Sequence, residues 1–159
     1  MRPMKPPRRL QPWEILRQEA LAEVRAVYRD VEKRPVERAC TRLTGCCHFK
    51  LTGRTPQLTK GEAILAAKAV RGAGRKVMPE REDGACPLLK ENGACIIYQD
   101  RPFGCRTHFC AEAGGPYDRK EVIDLIRRLE AVDTRLGGGG PRALPAAVAE
   151  ELRAMERGG

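Results

Sequence analysis

The chain has 159 residues, 30 Lys and Arg against 21 Asp and Glu, a net charge of +9, seven cysteines and one tryptophan. That length makes one domain with a modest core of Leu, Ile, Val and Ala, and the absence of a compact basic block or a row of stacking aromatics argues against specific nucleic-acid recognition. No apolar run approaches the roughly 20 residues that span a bilayer and the start of the chain lacks an apolar signal segment, so the expectation is a cytoplasmic protein without membrane association.

Thiols are kept reduced in that compartment, and an odd number of cysteines cannot pair completely within one chain. A disulfide framework is therefore set aside. Metal binding, redox chemistry or separate buried thiols remain, and the bunching of the cysteines into two groups favours a metal.

Residues 1–11 read as a disordered basic arm, with Arg2, Lys5, Arg8 and Arg9 among prolines. From Pro12 to Arg34 the apolar residues Trp13, Leu16, Ala20, Val24, Val27 and Val31 recur at steps of three and four, which predicts a helix with one apolar stripe. Pro35 stops it. The stretch 38–56 is turn-rich and holds the first cysteine group. Thr59 and Glu62 form a capping box that opens a second helix through Ile64, Leu65, Ala67 and Val70, ended by Gly72 and Gly74.

Lys76 to Gly84 is charged and reads as loop. The second cysteine group follows, with Cys95-Ile96-Ile97-Tyr98 as its only strand-like piece. Asp118 and Glu121 repeat the capping pattern ahead of a third helix, whose stripe is Val122, Leu125, Ile126, Leu129, Val132 and Leu136. Gly137 to Gly140 read as a flexible hinge, and Pro141 to Arg157 as a last helix with Leu144, Val148, Leu152 and Met155 on one side. The expected fold is mainly α, with three to four helices, at most one short β-hairpin, and an irregular cysteine-rich metal centre. The organisation is an arm at 1–11, a cysteine-cluster domain at 12–136, and a hinge with C-terminal helix at 137–159.

The cysteines fall as Cys40, then Cys46 and Cys47, then Cys86, Cys95, Cys105 and Cys110. Thiolates hold zinc tetrahedrally or bind iron–sulfur clusters, and both need four ligands brought together. The short Cys-x-x-Cys knuckles of a zinc ribbon are absent, as is the bacterial ferredoxin run, so spacing supports a thiolate metal site without choosing the metal. Adjacent Cys46 and Cys47 can serve one site only if the loop bends sharply, which Gly45 permits; a vicinal disulfide is the alternative. His48 and His108 each sit beside cysteines and are candidate ligands or ordinary polar neighbours. Seven Cys and one His would suffice for two zinc ions.

Arg101 and Arg106 flank Cys105 and are candidate cofactor-binding residues, because guanidinium groups can offset the negative charge of several thiolates. Surface ion pairs are their plainer alternative. No Ser/His/Asp arrangement or phosphate loop is visible. A Cys105–His108 nucleophile pair would leave five other cysteines unexplained.

These residues resemble the YkgJ-type cysteine-cluster family, a zinc- or iron-chelating domain. Its pattern is Cys-x-x-Cys-x-x-Cys-Cys, then Cys-Pro, then Cys-x-Ile-Tyr, then Arg-Pro-x-x-Cys-Arg and a last Cys. The chain offers Cys40, Cys46 and Cys47, then Cys86-Pro87, Cys95-Ile96-Ile97-Tyr98, Arg101-Pro102-Phe103-Gly104-Cys105-Arg106 and Cys110. The second cysteine of the opening motif falls at Leu43. The resemblance implies a metal-binding protein. Some members resemble a flagellin lysine methylase with an iron–sulfur centre, but this chain has no obvious room for an added catalytic domain.

The reading that follows is a protein holding an iron–sulfur cluster, of the 4Fe–4S type, through four of the seven cysteines, with an electron-transfer or accessory role toward a protein partner. The alternatives are a zinc-stabilised module binding a protein or nucleic acid, and a group-transfer enzyme.

Overall fold

The computed structural model describes residues 2–34, 55–90, 92, 94–107 and 118–158. Among these are five helices and one two-stranded antiparallel sheet. Residues 2–10 are exposed and carry no regular element.

Helix α1 spans Pro12–Glu32. Proline suits its first turn, where a missing N–H costs nothing, and the Glu14 carboxylate accepts the Gln11 N–H at 2.7 Å. Its buried residues are Ala20, Leu21, Val24, Val27, Tyr28 and Val31. The expected stripe is corrected at its start, because Trp13 is 61% exposed and Leu16 38%. The reason is the length of the partner helix α4 (Arg119–Arg135), which runs antiparallel to α1, since Arg128 pairs with Asp30 and Glu23 while Arg135 pairs with Glu19. Arg135, its last residue, reaches Glu19 at 3.7 Å, so the first turns of α1 extend past its end.

Helix α2 (Lys60–Gly72) opens on the expected Thr59–Glu62 capping box. It is buried on both sides, as the central element of an all-α core must be. Ala63, Ala66, Ala67 and Val70 join one apolar cluster with Leu144, Val148 and Leu152. Ile64 and Leu65 join a second with Val24, Val27, Leu125 and Leu129. Close approach depends on Gly61: a Cβ there would lie 2.8 Å from the Val24 side chain and 2.9 Å from that of Val132.

Strand β1 (Gln57–Leu58) pairs antiparallel with β2 (Arg142–Ala143), which leads directly into helix α5 (Leu144–Gly158). Strand pairing thus joins distant parts of the chain. At the expected hairpin near Cys95 there is a single antiparallel bridge, Leu89 to Cys95. The glycine run read as a hinge wraps the buried side chain of Asp133, whose carboxylate accepts the Gly140 N–H at 3.0 Å and the Lys60 N–H at 2.8 Å. The remaining helix, α3 (Phe103–Thr107), is the one beyond the expected three to four and lies within the cysteine region.

Candidate metal centre

Three of the seven candidate cysteines fall in described segments. Cys40, Cys46, Cys47 and Cys110 lie outside the described residues, as do His48, His108 and Leu43. Cys86 is buried, and Cys95 and Cys105 are partly buried. Cys86 is part of the apolar cluster shared by α2 and α5, and Cys95 and Cys105 pack against it. Among the described residues, no three His, Cys, Asp or Glu side chains come close enough together to hold a metal ion. The donor chemistry fits a thiolate centre, with three cysteines buried or partly buried at one apolar cluster, but these three alone do not close a ligand set.

Each thiol is placed by a short-range device. Cys86 opens a tight turn in which Pro87 presets the backbone and the Leu89 N–H returns to the Cys86 carbonyl at 3.0 Å. The turn is tethered from outside by Arg81, whose Nη1 donates to the Leu89 carbonyl at 2.7 Å. Cys95 sits on the returning strand, where the Ile96 N–H reaches the Leu88 carbonyl at 2.8 Å and the Lys90 N–H the Ala94 carbonyl at 2.7 Å. Burial pushes the Cys95 thiol above its ordinary range; the Ile97 N–H and the charges of Arg101 and Lys90 pull it back.

From Cys95 the chain passes through a 3-10 turn, Tyr98–Asp100, into α3. Arg101 bonds its own turn, Nε to the Tyr98 carbonyl at 3.0 Å, and stacks 4.1 Å from the Tyr98 ring centroid. Pro102 accepts the Cys105 N–H at 3.0 Å and so starts the short helix. Arg106 is 7% exposed. Its Nε donates to the Arg101 carbonyl at 2.7 Å, its Nη2 to the Gln99 carbonyl at 2.6 Å, and its Nη1 pairs with Glu32 on α1. The guanidinium lies 4.3 Å from the Tyr28 ring centroid. Burial works against its positive charge, and the negative charge of Glu32 supports it.

Two residues central to this arrangement carry no metal-site signal in the sequence. Glu62 is buried at the start of α2, and its Oε1 accepts the Phe103 N–H at 2.7 Å and the Tyr28 O–H at 3.3 Å. One carboxylate therefore caps both α2 and the helix carrying Cys105. Tyr28 ties that carboxylate to α1. Its position in the apolar stripe of α1 marks it as core, and nothing local announces the hydroxyl's partner.

A family model, CxxCxxCC, described as a putative zinc- or iron-chelating domain, matches residues 20–125. The chain belongs to this family. No curated protein and no solved structure matches it. The CxxCxxCC match begins at Ala20, where the buried part of α1 begins, and ends at Leu125 in α4. It takes in every cysteine and the elements that hold Cys105, namely α1, the start of α2 and α3. Helix α5 lies beyond it.

Proposed function

We propose that this chain is a cytoplasmic metal protein that holds a 4Fe–4S cluster through four of its seven cysteines, with Cys86, Cys95 and Cys105 among the ligands, and that it serves electron transfer or supports the chemistry of a protein partner. Three cysteines packed in or against one apolar cluster, in a chain that belongs to a family described as a putative zinc- or iron-chelating domain, carry this reading. The wide, irregular intervals between Cys86, Cys95, Cys105 and Cys110 favour a cluster of several irons over a single ion held by paired knuckles.

When bound, the cluster supplies a one-electron couple. The chain's own contribution is shelter and charge. Cys95 and Cys105 are partly buried and pack against the α2–α5 core, which limits water at the sulfurs. Arg101 places positive charge within reach of Cys95 and favours its thiolate. Such surroundings tune the potential of a cluster.

Zinc is the second reading, because the family description names both metals. Purification without oxygen distinguishes them. The iron–sulfur reading expects a brown protein with broad visible absorption and stoichiometric iron and acid-labile sulfide; a colourless protein with stoichiometric zinc overturns it. Single Cys→Ser variants then assign the ligands, with Cys95→Ser and Cys105→Ser expected to lose metal. Full retention by Cys105→Ser would remove it from the site.

A further inference from the structure

We infer that Arg106 is the positioning residue of the metal centre: its buried guanidinium fixes the segment from Cys95 to Cys105 against α1, and so sets where those two sulfurs stand. The inference rests on the metal-chelating reading above and assigns a role within it. Arg106 sits next to Cys105, which suggests a counter-charge for thiolates, but every nitrogen of its guanidinium has another partner. Nε is on the Arg101 carbonyl, Nη2 on the Gln99 carbonyl, and Nη1 on Glu32, while the plane stacks on Tyr28.

The need for such a clamp follows from the backbone. Between Ile97 and Arg101 the chain makes only a short 3-10 turn, with the Asp100 N–H on the Ile97 carbonyl at 2.8 Å. The carbonyls of Tyr98, Gln99 and Arg101 accept from arginine side chains. A five-residue helix such as α3 cannot hold its own direction, because a single turn does not recover the cost of nucleation. Its direction is set at two points. The Phe103 N–H is held by Glu62, Glu62 accepts from Tyr28, and the Tyr28 ring carries Arg106. The loop of contacts closes on the helix that bears Cys105. Lysine cannot replace arginine here, since a point charge has neither the planar fork for two carbonyls and a carboxylate nor a face to stack.

The test uses the full chain, stripped of metal and titrated with Co2+, whose thiolate complexes give charge-transfer and ligand-field bands. Arg106→Lys is expected to weaken Co2+ binding about 10–100-fold, as loss of an outer-shell partner does, and to shift the charge-transfer band, with helical circular dichroism retained. A merely structural role would lower the melting temperature of the empty and loaded protein alike and leave the dissociation constant, measured well below melting, unchanged. Equal affinity and spectra in wild type and Arg106→Lys overturn the inference. If the wild type shows no cobalt–thiolate bands, the metal-centre reading fails and takes this inference with it, a result distinct from a failure of Arg106 alone. Should Arg106→Lys not fold, Glu32→Gln decides. It removes one tether at a carboxylate that is 57% exposed, and a several-fold loss of affinity is expected. No loss there overturns the inference.

Discussion

Four hydrogen bonds end on the Glu62 carboxylate. The Thr59 N–H and hydroxyl reach Oε2, each at 3.0 Å, and the Phe103 N–H and Tyr28 hydroxyl reach Oε1. Burial raises the pKa of this carboxyl above its ordinary value of 4.5, and the two N–H donors, then the hydroxyls, oppose the rise. Folded Glu62 therefore keeps its proton to a higher pH than unfolded Glu62. Its contribution to stability is fully present below the unfolded pKa and is lost as pH rises through the folded one. Glu62→Gln removes that titration. The variant loses an acceptor for the Thr59 N–H and is expected to cost about 1–3 kcal/mol at acid pH, with the deficit narrowing as pH rises from 4.5. Urea unfolding of both proteins across pH measures it, and a constant deficit would contradict the burial argument. The capping half of this residue is legible in the sequence, since Thr59 and Glu62 stand three apart. The other half is not: Phe103 lies 41 residues along and Tyr28 34 residues back, and no local pattern encodes either. Arg106 is similar. Its neighbour Cys105 suggests the metal, while its ion-pair partner Glu32 stands 74 residues away.

At the scale of elements, the capping boxes at Thr59 and Asp118 and the apolar periods located α2 and α4 well, because those signals are local. The period of α1 continued through Trp13 and Leu16, but burial needs a partner and α4 ends opposite Glu19. Helix α3 is too short to show a period at all. The glycine run gives the sharpest contrast between composition and structure. Gly137 to Gly140 read as a hinge on composition, yet the Asp133 carboxylate organises them into a turn that also caps the first N–H of α2. A Cβ on Gly138 would overlap that carboxylate, whereas one on Gly139 would meet open space. Gly138→Ala is therefore expected to destabilise by about 1–3 kcal/mol, through displacement of a buried acceptor from its two N–H donors. Gly139→Ala should stay within about 0.5 kcal/mol. Equal effects in denaturant unfolding would show that Asp133 does not organise the turn.

Among the described residues two apolar clusters are joined through α2, and Cys86, Cys95 and Cys105 lie in or against one of them. The cluster of α1 and α4, with Ile64 and Leu65 of α2, is built from helices that supply their own backbone hydrogen bonds. The other cluster includes Ala85, Cys86, Leu88, Leu89 and Ile97, all from the irregular cysteine region. Ordering such loops costs about 1–2 kcal/mol per residue in backbone entropy, and little regular pairing is present there to offset it. On the proposed metal-centre reading a bound metal would supply the missing free energy, as binding energy at such sites becomes folding energy. The two clusters should therefore respond differently when metal is removed. Hydrogen exchange of the chelator-treated chain is expected to lose protection at the Leu89, Ile96 and Cys105 amides, whose bonds run to Cys86, Leu88 and Pro102 within the cysteine region. Protection at Val24, Val27, Leu125 and Leu129 should persist, because these residues lie within the long helices α1 and α4, which supply their own backbone hydrogen bonds. Simultaneous loss at all of these amides would mean that the metal folds the entire domain, and that the α1–α4 pair has no stability of its own. Retention at all of them would mean that the cysteine region is ordered by the Arg81, Arg101 and Arg106 tethers without help from a metal.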